Sequence, residues 1–270
     1  MILGCIYLVI ALACTGSIYY FLHLYEHWWW FWVILVGIPI FYVLAFGLSL
    51  IVLFIHSKFI DINKEVKKPS DYARFWVEQV SFQIAFLAWA RVKKINFDEV
   101  NRKQRYMIVY NHTSNFDPML IFSRIPRTIS ITKPENKKIP IAGPFAHKAG
   151  YISIDRNNNN EGIKAIQQAI DFIKERNYSI LVSPEGTRSK THELLPFHPG
   201  TFNIAKRAGV PILVIGLKNV YSIKRNFVRR PTRVEMKVLS VISSEHIAES
   251  SIGEISNEVH ELYENYLGGE

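Results

Sequence analysis

The order of hydrophobic and polar positions divides the chain into two unlike parts. Through residues 1–22, and again through 28–55, apolar residues follow one another with no polar face, and only His23-Leu24-Tyr25-Glu26-His27 separates the two runs. Helices that are hydrophobic all round lie either in a large core or in a membrane. The first run is about 33 Å long as a helix and the second is longer, so each could cross the hydrocarbon of a bilayer. Together they predict a membrane-anchoring hairpin of two helices over residues 1–60. Gly37, Pro39 and Gly47 could kink or break the second arm, which makes an in-plane or re-entrant hairpin the competing arrangement. A cleaved signal peptide fits the first run less well, because it has no basic leader and a second apolar segment follows at once.

Beyond residue 60 the pattern becomes that of a water-facing domain. Residues 71–90 read as an aromatic-rich amphipathic helix. Short apolar runs at 106–110, 128–132, 179–183 and 211–217 are predicted as buried strands, with a later strand at 234–241. Helical stretches at 160–176 and 200–208 lie between them, and a closing helix at 254–267 carries Ser251 as its candidate cap. Strands alternating with helices imply an α/β fold, a layered sheet-and-helix domain over residues 61–270.

Charge sharpens this division. Of 23 acidic residues only Glu26 falls within the first 56, and none of the 32 Lys and Arg does, so the net charge of +9 arises wholly beyond the hairpin. Lys58, Lys64, Lys67, Lys68 and Arg74 follow the second arm while the hairpin turn has no Lys or Arg. The positive-inside bias then places the turn outside and the main domain in the cytoplasm, at the cell membrane. Cys5 and Cys14 are about 13 Å apart along one helix, too far for a bridge. The basic cluster Lys224, Arg225, Arg229, Arg230, Arg233 and Lys237 suits an acidic carrier protein or anionic headgroups; no nucleic-acid recognition motif accompanies it.

Candidate chemistry begins at Asn111-His112-Thr113-Ser114-Asn115-Phe116-Asp117-Pro118, where a predicted strand gives way to a helix. A five-residue spacing does not stack His on Asp within one helix, so the turn itself must bring them together. A carboxylate on one imidazole nitrogen would fix the tautomer and stabilise the imidazolium formed when the other nitrogen takes a proton. Asp117-Pro118 reads equally as a helix N-cap followed by proline. A second element, Ser183-Pro184-Glu185-Gly186-Thr187-Arg188-Ser189, also follows a buried strand, and its guanidinium suits a phosphate. Lys133-Pro134-Glu135, Gly143-Pro144, Gly150 to Arg156 and Val210-Pro211-Ile212 read singly as turns and local ion pairs; His147 and His198 read as packed or surface histidines.

In this order the blocks resemble the glycerolipid acyltransferases, the family of the bacterial 1-acylglycerol-3-phosphate acyltransferases. That pattern runs N-H-x-x-x-x-D, K-x-E, G-x-x-F-I-D-R, F-P-E-G-T-R-S and V-P-I, over about residues 105–217 here. The resemblance implies transfer of an acyl group from acyl-CoA or acyl carrier protein to the sn-2 hydroxyl of lysophosphatidic acid, giving phosphatidic acid. It implies His112 as general base, Asp117 as its partner, and neither an acyl-enzyme nor a cofactor nor a metal. Arg188 and Lys133 would bind the acceptor phosphate, and Glu185, Gly186 and Thr187 would shape the acceptor site. Ser183 and Ser153 stand where the family has Phe, His198 where lysine is frequent and Val214 where a second proline is. Acylation of another lyso-lipid, such as a lyso-ornithine lipid or a lysophospholipid, is the alternative within the same chemistry. A thioesterase and a catalytically idle lipid-binding protein are the alternatives outside it.

Overall fold

The structure, a computed structural model, describes residues 2–154, 159–227 and 229–268; Asp155 and Arg156 of the fourth block lie outside the described residues. Helix α1 (Ile2–Phe21) and helix α2 (Trp30–Ser57) fold back on each other across a short 3-10 turn at Leu24–Glu26. Both are long and apolar enough to cross a membrane. Of the kink or break that Gly37, Pro39 and Gly47 would allow, a break is absent: α2 runs through the proline as one helix. Close packing supports it at that level, since a Cβ on Gly37 would come within 3.0 Å of the Thr15 side chain on α1.

After the hairpin comes α3 (Asp71–Leu87), whose first turn is capped by Ser70 through its Oγ and the amide of Ala73. It is three residues shorter than its pattern suggests, because Trp89 adopts a left-handed φ of 56° and turns the chain into β1 (Ala90–Ile95). There follow β2 (Met107–Tyr110), α4 (Phe116–Phe122), β3 (Thr128–Thr132), α5 (Ala142–Lys148) and β4 (Ile152–Ser153). The chain continues through α6 (Asn159–Arg176), β5 (Ser179–Val182), α7 (Asn203–Ala208), β6 (Ile212–Lys218), α8 (Ser222–Asn226) and β7 (Thr232–Ile242). It closes with α9 (Ser244–Glu249) and α10 (Ile252–Gly268). Ser251 and Glu254 form a reciprocal capping box at the start of α10, the amide of Ser251 donating to Glu254 at 2.6 Å and that of Glu254 to Ser251 Oγ at 3.2 Å.

The strands form one seven-stranded sheet in the order β1-β7-β6-β2-β5-β3-β4. The five from β6 to β4 are mutually parallel; β7 runs antiparallel to β6, and β1 pairs parallel with β7. Alternation along β2 sends Met107 and Val109 to one face, packed with Ala169 and Phe172 of α6 and Val259 and Tyr263 of α10. Ile108 and Tyr110 face the other way, against Ala85 of α3 and Leu120 and Ile121 of α4. The domain is thus an α/β layer sandwich with a core on each side of the sheet.

Gly143 and Pro144, read from the sequence as a turn, lie instead in the first turn of α5, where proline is tolerated because its missing amide would lack an intrahelical partner. Glycine is required for space: a Cβ at position 143 would sit 2.2 Å from the carbonyl oxygen of Lys137. Gly143→Ala is therefore expected to destabilise the protein by about 1–3 kcal/mol, as overpacking does, measurable as a lowered thermal midpoint.

The hairpin is joined to the sandwich through α3. Leu3, Tyr7 and Phe46 pack on Phe75, Trp76, Ile84 and Leu87. Two glutamines add polar ties within this apolar contact: the amide of Leu3 donates to Gln79 Oε1 at 3.3 Å, and the Tyr42 hydroxyl donates to the fully buried Gln83 at 2.6 Å.

Candidate active site

Asn111, the residue after β2, uses its side-chain amide as a backbone would, donating to the carbonyl of Leu217 at 2.9 Å and accepting from its N–H at 2.8 Å. It holds the chain beside β6 until the turn begins. The turn then wraps around Asp117, the second residue of α4. Asp117 Oδ2 accepts from the backbone amides of Thr113 and Ser114, each at 2.7 Å, and lies 2.9 Å from His112 Nδ1. The N-cap position belongs to Asn115, which makes no side-chain cap bond; Asp117 reaches back past the helix start to collect the donors of the turn. The expected convergence of His112 and Asp117 is thus present, and the turn geometry explains a spacing that no helix would.

Asp117 is fully buried, whereas the His112 side chain is 20% exposed. Burial pushes the carboxyl of Asp117 above the usual range, and the bond and charge of His112 with the two turn amides oppose that rise. Two backbone amides donating to Oδ2 make it the acceptor, so Nδ1 carries the hydrogen of that contact and Nε2 is the ring nitrogen left for the substrate proton. Tyr110 packs edge-on against the imidazole, with ring centroids 5.4 Å apart.

The turn after β5 lies directly against this one. Gly186 has a φ of +71° and donates its amide to the carbonyl of Ser183 at 3.1 Å, a tight turn that favours glycine. Glu185 is buried, and both carboxylate oxygens accept backbone hydrogens, Oε1 from His112 at 2.7 Å and Oε2 from Leu195 at 3.2 Å. Burial raises its pKa, and those two hydrogen bonds counter the rise. Ser189 in turn donates to the carbonyl of His112 at 2.8 Å. Glu185 is therefore a brace beneath the histidine, while Thr187 and Arg188 are the exposed members of the turn.

Arg188 donates to Asn115 Oδ1 at 2.9 Å, which leans its guanidinium over the start of α4. Among the described residues no carboxylate pairs with it. Asn115 is the member of this group that sequence reading passed over; its signal was its place inside the His–Asp stretch. Lys133 is exposed at the end of β3, on the same edge of the sheet, and no hydrogen bond or ion pair among the described residues ties it to His112 or Arg188. His147 is a packed residue, with Nε2 2.9 Å from the carbonyl of Lys64, and burial lowers its pKa. His198 is exposed and joins the Glu185 turn only through its amide, which donates to the Pro184 carbonyl.

This arrangement has recognisable relatives. A profile of the family described as Acyltransferase matches residues 91–218, which includes the whole His112 and Arg188 assembly. The chain is 31% identical over 165 residues to the 1-acyl-sn-glycerol-3-phosphate acyltransferase of Haemophilus influenzae, covering 60% of this chain and 68% of that protein. It is 33% identical over 166 residues to the enzyme of the same name from Cocos nucifera, a match covering 60% of this chain and 54% of the relative. With the counterpart from Saccharomyces cerevisiae it shares 29% identity, over 57% of the relative, so the match spans little more than half the length of these two. Among solved structures, the 1-acyl-sn-glycerophosphate (LPA) acyltransferase of Thermotoga maritima superposes with a TM-score of 0.61 at 21% identity, covering 82% of this chain and 95% of that one. The stretch matched, which in this chain holds the two facing turns at the ends of β2 and β5, makes the chain a member of the acyltransferase family to which the 1-acyl-sn-glycerol-3-phosphate acyltransferases belong.

Proposed function

We propose that this protein transfers a fatty acyl group from the thioester of CoA or acyl carrier protein to the free sn-2 hydroxyl of lysophosphatidic acid, giving phosphatidic acid. The observation that carries the proposal is the His112–Asp117 pair, its imidazole partly exposed, beside a turn whose guanidinium no carboxylate among the described residues neutralises. Nε2 removes the hydroxyl proton as the oxygen attacks the thioester carbonyl. Asp117 stabilises the imidazolium so formed. As the tetrahedral intermediate collapses the C–S bond breaks, and the imidazolium returns its proton to the leaving thiolate. The acyl group passes directly between substrates; Cys5 and Cys14, the two thiols of the chain, both lie in α1. Arg188, with Lys133 further along the same edge, holds the acceptor phosphate, and Gly186 and Thr187 form the floor of the acceptor site. Glu185 serves that site by holding His112 in place.

Residues 1–60 act in this reading as the membrane anchor and 61–270 as the catalytic domain on the cytoplasmic side, next to the bilayer from which the acceptor comes. The reaction needs no cofactor. The test is to offer the purified full chain acyl-CoA or acyl carrier protein thioester against a panel of lyso-lipids. Phosphatidic acid should form fastest. Faster acylation of a phosphate-free lyso-lipid would establish the alternative acceptor, free fatty acid without any acceptor would establish a thioesterase, and no turnover with any pair would leave a lipid-binding protein.

A further inference from the structure

The sheet has a second functional-looking end. Tyr106 immediately precedes β2 and His112 lies two residues beyond it, so the two stand at opposite ends of the strand, at most about 20 Å apart. At the Tyr106 end a cavity of about 570 Å³ opens between β1, the loop that follows it, and the end of α4. Four cations line it, Lys94, Arg102, Arg105 and Arg124, against one carboxylate, Asp98.

Two of these cations are held in place and left uncompensated. Arg124 is half-buried; one of its terminal nitrogens donates to the carbonyl of Leu120 at 3.1 Å and to Ser123 Oγ. Arg105 is oriented by Asn177, whose Oδ1 accepts from Nε at 2.7 Å, and by the carbonyls of Arg102 and Gln104 at 3.2 and 3.1 Å. All these partners are neutral, and among the described residues neither guanidinium forms an ion pair. Burial pulls both pKa values down, and the positive charges of Arg127 and Arg74 add to the effect at Arg105. A partly buried cation is ordinarily paired with an anion. Guanidinium groups present forked donors that match the oxygens of a phosphoryl group. Phe97 and Ile125 supply an apolar wall beside them.

The geometry points to a phosphoryl-anion site in this cavity, held by Arg105 and Arg124, separate from the acceptor site at Arg188. Its ligand is a phosphate ester, either free in solution or carried on a lipid headgroup.

Hydrogen exchange on the full chain in neutral-detergent micelles tests this, read at residues 97–106 and 123–127. Inorganic phosphate at about ten times its Kd should slow exchange there by about tenfold, by linkage of binding to local opening. A parallel arm uses phosphatidylcholine vesicles with and without phosphatidic acid. Protection by inorganic phosphate assigns a soluble ester, and protection by phosphatidic acid vesicles alone assigns a headgroup; both support the site. Arg124→Met should remove the protection, whereas Arg188→Lys should leave it intact. Without phosphate, Arg124→Met should raise the thermal midpoint, since it deletes an uncompensated partly buried charge. Protection in neither arm, protection that survives Arg124→Met, or a fall in the midpoint would overturn the proposal.

Discussion

Replacing His112 by alanine is expected to lower acyl transfer by about 10²- to 10⁴-fold, the usual worth of a positioned general base, while the protein still folds. The fold should survive because the imidazole is partly exposed and its backbone carries the bonds to Glu185 and Ser189. Asp117→Asn discriminates more sharply. The amide oxygen of asparagine can still accept from Thr113 and Ser114, so the turn keeps its bonds, yet no charge remains to stabilise an imidazolium. Transfer should therefore fall severely; if Asp117 served only to cap α4, asparagine would substitute almost freely. Stability should move the opposite way. The folded-state pKa of Asp117 is raised, so the wild-type stability linked to this group is complete below the unfolded value of about 3.9 and is lost as pH rises through the folded value. Asparagine escapes that loss. Its thermal midpoint should match the wild type in acid and equal or exceed it at neutral pH, measurable by unfolding across that range. Wild-type turnover in Asp117→Asn would refute the dyad.

Arg188→Lys is expected to raise the KM for the lyso-lipid by about ten- to a hundredfold, with the KM for the acyl donor nearly unchanged. Lysine keeps the charge but loses the fork, and a charge-assisted hydrogen bond is worth about 1.5–3 kcal/mol. The bond to Asn115 strengthens the expectation, because it fixes the guanidinium plane beside the turn that holds the histidine. Some fall in turnover should accompany the change, since a loosely held acceptor misplaces its hydroxyl. An acceptor without phosphate should be almost indifferent to the substitution. A donor KM that rises while the acceptor KM stays put would move Arg188 to the thioester side.

How much of this was legible depends on what each segment buries. The strands β2, β5 and β6 are covered on both faces and read as unbroken apolar runs, and α10 declares itself through its amphipathic face and the Ser251–Glu254 box. Strand β1 is harder to see: Arg91, Lys93 and Lys94 face solvent on the sheet's edge, and its inward residues Ala90 and Val92 give an alternation only four residues long. The reversal at β7 is equally hidden, because the direction of a strand leaves no mark on its composition. In the site, residue types announced the His112–Asp117 pair, but the two roles of backbone were beyond reach. The resemblance gives Glu185 a part in shaping the acceptor site, and the structure bonds its carboxylate to the amides of His112 and Leu195. Only the facing of two turns, distant by 73 residues, reveals that.

That facing limits how such a protein can be altered. Both polar groups of the His112 peptide unit are held by the turn that bears Arg188, its N–H by Glu185 and its carbonyl by Ser189. Inserting or deleting even one residue between 185 and 189 would unhook the histidine along with the loop. Variation within this turn is therefore confined to side-chain replacement at its two exposed positions, 187 and 188, and a chimera that imports a relative's turn of different length must import the segment after β2 with it.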